Sequence, residues 1–298
     1  MGRMKQVLQL RKEIREFNPD IIHIHLAILW FVCLAQLGMK NIGLFHTLHS
    51  DPRKTSYGKN VYVDRLCYNR FHVIPICLNN EMKNYADDLF RLNSTQVITN
   101  GICIDDYQTH SRQLARRALG INDGSLVIGH VGRFAKVKNH KKIINVFNEV
   151  YKRNPEAKLV LVGDGELQEN IKKYCNTLGL YKSVVFCGAI DNVPFIMQAF
   201  DEFIFPSLYE GLGIVLIEAQ AAGIYCIVSN NVPVEALVSE KICRMDLEES
   251  DTKWAEAMIE RRVNFKSENN LMDYSIERVI FSLKELYKKA MKQRDERE

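Results

Sequence analysis

The sequence predicts an α/β protein built from two doubly wound parallel-sheet domains. Three observations carry this. Short β-rich apolar runs alternate with stretches of helical periodicity, as in a parallel sheet covered by helices. The alternation breaks once, across 100–125, where Asn100-Gly101, Asp105-Asp106 and Asp123-Gly124 supply turn chemistry around a short basic helix. A length of 298 residues with 47% hydrophobic content provides for more than one core.

Val7, Leu10, Ile14 and Phe17 recur at helical steps and define an opening helix that ends before Pro19. Strands are expected at 20–25, 42–46, 73–78 and 96–99, with helices at 27–37, 61–70 and 81–90. A second set of strands follows at 126–131, 158–162, 183–187, 202–205 and 224–228, separated by helices at 141–153, 166–178, 193–200 and 213–222. A final helix spans roughly 274–294, with no strand after it. The expected division is therefore 1–103 for a partial N-terminal domain, 104–125 for a linker, 126–270 for the C-terminal domain and 271–298 for a helix packing across both.

Composition narrows the function classes. A net charge of +4 and the lack of aromatic interleaving in the basic clusters argue against a nucleic-acid partner, and such clusters usually form solvated faces. The eight cysteines are scattered through apolar segments without a Cys-x-x-Cys pair, which reads as reduced, buried thiols in a cytoplasmic chain. The most apolar stretch, 21–39, contains His23, His25 and Gln36 and is too polar to span a membrane, which leaves peripheral contact at the inner face open. No early apolar segment with a cleavage site indicates export.

Two constellations carry chemistry. Val131-Gly132-Arg133 closes a strand and Lys138 follows in the loop before a helix, where the carboxyl ends of strands and helix N-termini favour anions. Arg133 offers a planar fork and Lys138 a mobile point charge, a complementary pair for a diphosphate. In isolation such a loop would be a solvated basic loop. The segment Phe205-Pro206-Ser207-Leu208-Tyr209-Glu210-Gly211-Leu212-Gly213-Ile214-Val215-Leu216-Ile217-Glu218-Ala219 changes that weighing. Here a strand ends, glycines permit close backbone approach, and a helix start lies between two carboxylates able to accept hydroxyls.

This segment resembles the retaining GT-B enzymes of glycosyltransferase family 4, whose signature is Glu, seven residues, Glu in the context Pro-Ser-x-x-Glu-Gly-x-Gly. Val97-Ile98-Thr99-Asn100-Gly101-Ile102, Val131-Gly132-Arg133 with Lys138, Leu161-Val162-Gly163-Asp164-Gly165 and Phe186-Cys187-Gly188 follow the family's order, so the resemblance covers most of the chain after Asn100. It implies two Rossmann-like domains and a nucleotide-sugar donor. Arg133 and Lys138 would bind the diphosphate, Glu218 the ribose and Glu210 the transferred sugar. Leu212, Gly213 and Ile214 would supply backbone donors, and Gly188 to Ile190 would border the base. His46-Thr47-Leu48-His49 is similar to the family's Thr-x-His pattern, making His49 the matching residue that faces the donor sugar.

The implied activity is transfer of a hexose or N-acetylhexosamine from a UDP-sugar to a glycan or lipid-linked glycan, with retention, in surface polysaccharide synthesis. No Asp-x-Asp triplet occurs, so neither a metal nor another cofactor is expected. His23 and His25 share one strand face but lack an evident third ligand, and are read as structural. Two departures from the family stand out. The chain enters at what looks like the interior of the N-terminal domain, and Tyr225 replaces a usual Pro, a change expected to touch strand entry only. The rival readings are a non-catalytic sugar-nucleotide-binding protein and an epimerase or phosphorylase on the same fold.

Overall fold

The computed structural model describes residues 2–295 except Ala27, Lys40 and residues 56–58. The chain forms two compact units, Met1–Gly101 with Glu277–Glu298, and Ile102–Ile276.

In the first unit the elements run α1 (Arg3–Phe17), β1 (Ile21–His25), α2 (Leu29–Ala35), β2 (Gly43–Leu48), α3 (Pro52–Thr55), α4 (Lys59–Phe71), β3 (Ile74–Cys77), α5 (Asn80–Phe90) and β4 (Gln96–Val97). The four strands are parallel and lie in sequence order, with no reversal. The helical steps of α1 bury Val7 and Ile14 against Ala35 of α2, with Leu10, Ile22 and Trp30 around them. Asn79 caps α5 by accepting from the Met82 N–H at 2.8 Å. On β1 and β2 alternate residues face opposite sides. Ile24 and His46 belong to one side, and His23, Phe45 and Thr47 to the other.

The second unit continues with α6 (Arg112–Ala118), β5 (Val127–Val131), α7 (His140–Arg153), β6 (Lys158–Val162), α8 (Gln168–Thr177), β7 (Val184–Gly188), α9 (Val193–Met197), β8 (Glu202–Phe205), α10 (Ile214–Ala221), β9 (Tyr225–Ser229), β10 (Ile242–Met245) and α11 (Asp251–Ile259). The chain then returns to the first unit as α12 (Ile276–Asp295). All six strands are parallel, in the order β10-β9-β8-β5-β6-β7, a doubly wound sheet whose order reverses between β5 and β8. Strands β5, β6, β8 and β9 are largely buried on both faces, which is why they read as continuous apolar runs rather than as alternation. On α7, Ile143, Ile144, Phe147 and Val150 form the apolar stripe that packs with Leu159, Leu161 and Trp254. Removing one such side chain, as in Phe147→Ala, would cost about 3–5 kcal/mol.

The sequence reading left out β10 and α11. Ile242-Cys243-Arg244-Met245 is short and interrupted by Arg244, and its strand character comes from pairing beside β9. Tyr225 does more than enter a strand, since its hydroxyl donates to Ala257 O at 3.1 Å and Arg262 O at 2.7 Å, tying β9 to the end of α11. The basic cluster around Arg112–Arg117 is not simply a solvated face. Arg116 is fully buried and donates to the carbonyls of Ala199, Asp123 and Ser125 and to the Asp201 carboxylate, because these four acceptors converge where α6 meets the sheet. The cysteines are free, but Cys103 is exposed and Cys187 half-buried, so burial does not extend to all eight. Among the described residues no helix is long and apolar enough to cross a membrane.

Candidate functional site

Crossovers on opposite sides of a parallel sheet open a crevice where the strand order reverses, beyond the carboxyl ends of the strands. In the second unit that point lies between β5 and β8, so the segments leaving them, 132–139 and 206–213, define the crevice. Backbone hydrogen bonds lace these segments to their neighbours. Gly132 N–H donates to Val162 O at 2.9 Å, Phe134 N–H to Asp164 O at 2.7 Å and Leu208 N–H to Val137 O at 2.8 Å. Gly163 has φ +128°, and a Cβ there would lie 2.3 Å from Gly132 O. The Gly163-Asp164-Gly165 turn is thus a backbone buttress for the Arg133 loop, a task that motif order alone did not reveal.

Lys138 and Glu210 meet in this crevice. Lys138 Nζ lies 2.6 Å from Glu210 Oε1, with the two side chains 16% and 11% exposed, and 4.9 Å from the centre of the Phe205 ring. Arg133 is exposed and its guanidinium reaches Glu166 at 3.3 Å. Gly213 caps α10 in the left-handed region, φ 84° and ψ 50°, where its missing Cβ removes the steric cost. Leu212 is buried beside it, and Ile214 opens the helix, so the first-turn N–H groups lie next to the Glu210 loop. One turn further, Glu218 is half-buried. Burial raises its carboxyl above the usual value, and a hydrogen bond from the Tyr107 hydroxyl opposes that rise. Gly188 ends β7 with φ +69°, its carbonyl accepting from Gly163 N–H at 2.8 Å, and Ile190 is half-buried just beyond.

Two histidines that sequence reasoning passed over lie near Lys138. A Cβ on Gly132 would come 3.1 Å from His130 Nε2 and 3.4 Å from the Lys138 side chain. His130 is completely buried, its ring edge-on to His140 at 4.9 Å, and its Nδ1 donates to Ile204 O at 2.9 Å. Burial first, and His140 second, press its pKa well below the ordinary value; His140 is pushed down to about 4 by burial and by Lys138. Both rings are therefore neutral near pH 7. The cations that the 132–139 segment contributes are Arg133, Lys136 and Lys138.

His49 belongs to the first unit, one residue past β2, where it is half-buried. It lines a cavity of about 380 Å³ together with Leu29, Trp30, His46, Val63 and Tyr68. Its imidazole Nε2 lies 2.8 Å from His25 Nδ1. Among the described residues no group of three or more His, Cys, Asp or Glu side chains is arranged to hold a metal ion.

A loop cation paired to a carboxylate, a second exposed cation and a glycine-capped helix start can meet an anion and a polyol at once. The cations and N–H dipoles suit phosphate oxygens, and the two carboxylates suit hydroxyls.

Comparison with known proteins agrees with this layout. Residues 111–274 match the family described as Glycosyl transferases group 1, and residues 2–106 match Glycosyltransferase Family 4. The chain is 29% identical over 265 residues to EpsF of Bacillus subtilis (strain 168), covering 85% of this chain and 68% of that protein. It is also 29% identical over 248 residues to an Escherichia coli UDP-Gal:alpha-D-GlcNAc-diphosphoundecaprenol alpha-1,3-galactosyltransferase, covering 76% and 62%. Among solved structures, Anabaena HepE in complex with UDP and glucose superposes with TM-score 0.73 at 20% identity, over 97% of this chain and 80% of that one. A Rickettsia africae glycosyltransferase gives 0.79 at 15% identity, over 97% and 82%. At these identities the structural likeness establishes the GT-B fold alone. With a family match across more than half of its length and a second across its first hundred residues, the chain belongs to the group 1, family 4 glycosyltransferases.

Proposed function

We propose that the protein transfers a hexose or N-acetylhexosamine from a UDP-sugar to a glycan or lipid-linked glycan acceptor, with retention, in polysaccharide synthesis. The observation that carries this reading is the grouping of Lys138, Glu210 and the Gly213-capped start of α10 at the strand-order reversal, with Arg133 on the adjoining loop. In this reading Arg133, Lys138 and the first N–H groups of α10 take up the negative charge that develops as the nucleoside diphosphate departs. Glu210 faces the transferred sugar, Glu218 holds the ribose and the Gly188–Ile190 segment borders the base; for His49 the family's Thr-x-His pattern implies a sugar-facing role. Neither a metal nor another cofactor is required, because fixed cations fill that role.

Support for the donor class comes from the E. coli relative, whose name specifies UDP-Gal, and from HepE, whose structures contain UDP. A lipid-linked acceptor, met by peripheral contact with a membrane, is supported by Leu26 and Val63, exposed apolar residues that line the first-unit cavity. The test is UDP release from UDP-glucose, UDP-galactose and UDP-N-acetylglucosamine, with and without diphosphate-linked lipid acceptors, followed by analysis of the anomeric configuration of the product. Acceptor-dependent release with an α-linked product supports the reading. Tight UDP binding without turnover against any acceptor would replace it with that of a binding protein.

A further inference from the structure

The face of the first-unit sheet opposite α2 carries a row of three imidazoles. Strands β1 and β2 pair in parallel with His23 opposite Phe45 and His25 opposite Thr47, so His23 and His25 share a face, and His49 follows on the same side past the end of β2. The rings stack in sequence. His23 and His25 have centroids 4.4 Å apart at 24°, and His25 and His49 5.1 Å apart at 27°. His23 anchors the row, with Nδ1 2.5 Å from the Tyr287 hydroxyl on α12 and Nε2 2.7 Å from Thr47 Oγ1. At the other end His25 Nδ1 and His49 Nε2 are 2.8 Å apart.

A hydrogen bond between two imidazole nitrogens needs a proton on one of them and a lone pair on the other. Neutral rings allow two arrangements. If His49 Nε2–H donates to His25 Nδ1, both rings adopt the Nε2–H form, the intrinsically more stable tautomer of a neutral histidine side chain. The reverse arrangement puts both rings in the less stable Nδ1–H form. We propose that His25 is a positioning residue for His49, holding it as the Nε2–H tautomer so that its Nδ1 lone pair is presented to a sugar hydroxyl. This rests on the reading that His49 faces the donor sugar.

The surroundings favour the neutral form at His23 and His49. Burial, then His25, His46 and His49, push His23 down to about 4, and burial with His25 lowers His49. His46 sits on the opposite face, bonded to the Tyr68 hydroxyl at 2.7 Å and donating to Leu26 O at 2.9 Å, and is likewise pushed down to about 4, chiefly by burial. Asp64, which lines the same cavity as His46 and His49, is the acidic group on α4 facing this region. A second positive charge in so short a stack would meet repulsion from the first at every ring.

The experiment is long-range ¹H–¹⁵N NMR of the full chain with ¹⁵N-histidine, alongside steady-state kinetics. In the wild type at pH 7.5, His49 should show a protonated Nε2 and a bare Nδ1. In His25→Leu its signals should shift to tautomer-averaged values and its pKa should rise. His25→Asn places an amide oxygen close to the former Nδ1 and should restore the wild-type pattern, whereas His25→Gln should not. Turnover in His25→Leu should fall about tenfold with the donor KM little changed, and recover in His25→Asn. An Nδ1–H tautomer in the wild type, or unaltered His49 signals in a folded His25→Leu, would overturn the proposal. Tautomer changes as expected with unaltered turnover would support His25's control of His49 and instead remove His49 from contact with the sugar.

Discussion

Lys138 Nζ and Glu210 Oε1 form a 2.6 Å ion pair in which both side chains are mostly shielded from water. Each is thereby held at the crevice by the other, one assigned to phosphate and one to sugar. Arg133 instead forms an exposed ion pair with Glu166, which contributes little to stability.

Lys138→Ala and Arg133→Ala should each weaken UDP binding by roughly tenfold to a hundredfold, as expected for loss of a charge-assisted hydrogen bond of ~1.5–3 kcal/mol. They should differ in stability. Arg133→Ala should leave the urea midpoint unchanged, whereas Lys138→Ala strands a shielded carboxylate and should cost about 1–3 kcal/mol. Calorimetry with UDP and urea unfolding measure the two effects. Unchanged UDP affinity in both variants would remove the diphosphate assignment.

Glu210→Gln and Glu218→Gln should part kinetically. Glu210 is placed where charge develops during transfer, so its loss should act on turnover. Glu218 holds the ribose equally in ground and transition states, so its loss should raise the donor KM. Because burial raises the Glu218 carboxyl, donor KM in the wild type should climb as the pH drops toward and below that raised value, and Glu218→Gln should flatten the climb. Steady-state assays between pH 5 and pH 8 decide this; an exchange of the two phenotypes would exchange the two roles.

Activity should survive EDTA, since Arg133, Lys138 and the α10 N–H groups are proposed to neutralise the leaving diphosphate. Turnover abolished by chelator and restored by manganese or magnesium would contradict this.

Glu202 offers a test of the fold alone. Its side chain is 2% exposed, and burial pushes its carboxyl from 4.5 up to about 7 despite Arg261 at 3.1 Å. The folded state therefore keeps a proton that the unfolded chain has lost, so stability falls as pH rises between these values, by on the order of 3 kcal/mol. Glu202→Gln should remove this slope and be the more stable protein at pH 8, because Arg261 is half exposed and tolerates losing its partner. Urea unfolding at pH 5 and pH 8 measures it.

Much of this protein was legible in one dimension. Strand and helix alternation gave the α/β class because apolar periodicity reflects which faces are buried. The Glu210 to Glu218 spacing located the crevice because a strand end, a glycine loop and a helix start are contiguous in the chain. What the sequence could not supply were contacts between residues distant along it. The Lys138–Glu210 pair spans 72 positions, and the His23–Tyr287 bond 264. Nothing in the local pattern marked Arg116 for burial, which the sheet decides by bringing Ala199 O and Asp201 to it, and β10 became a strand only beside β9. His25 read as structural because its relation to His49 depends on the parallel register of β1 and β2. Local pattern fixes which faces are apolar and where the chain turns, whereas the partners of buried polar groups are set by strand order and register, which only the folded sheet defines.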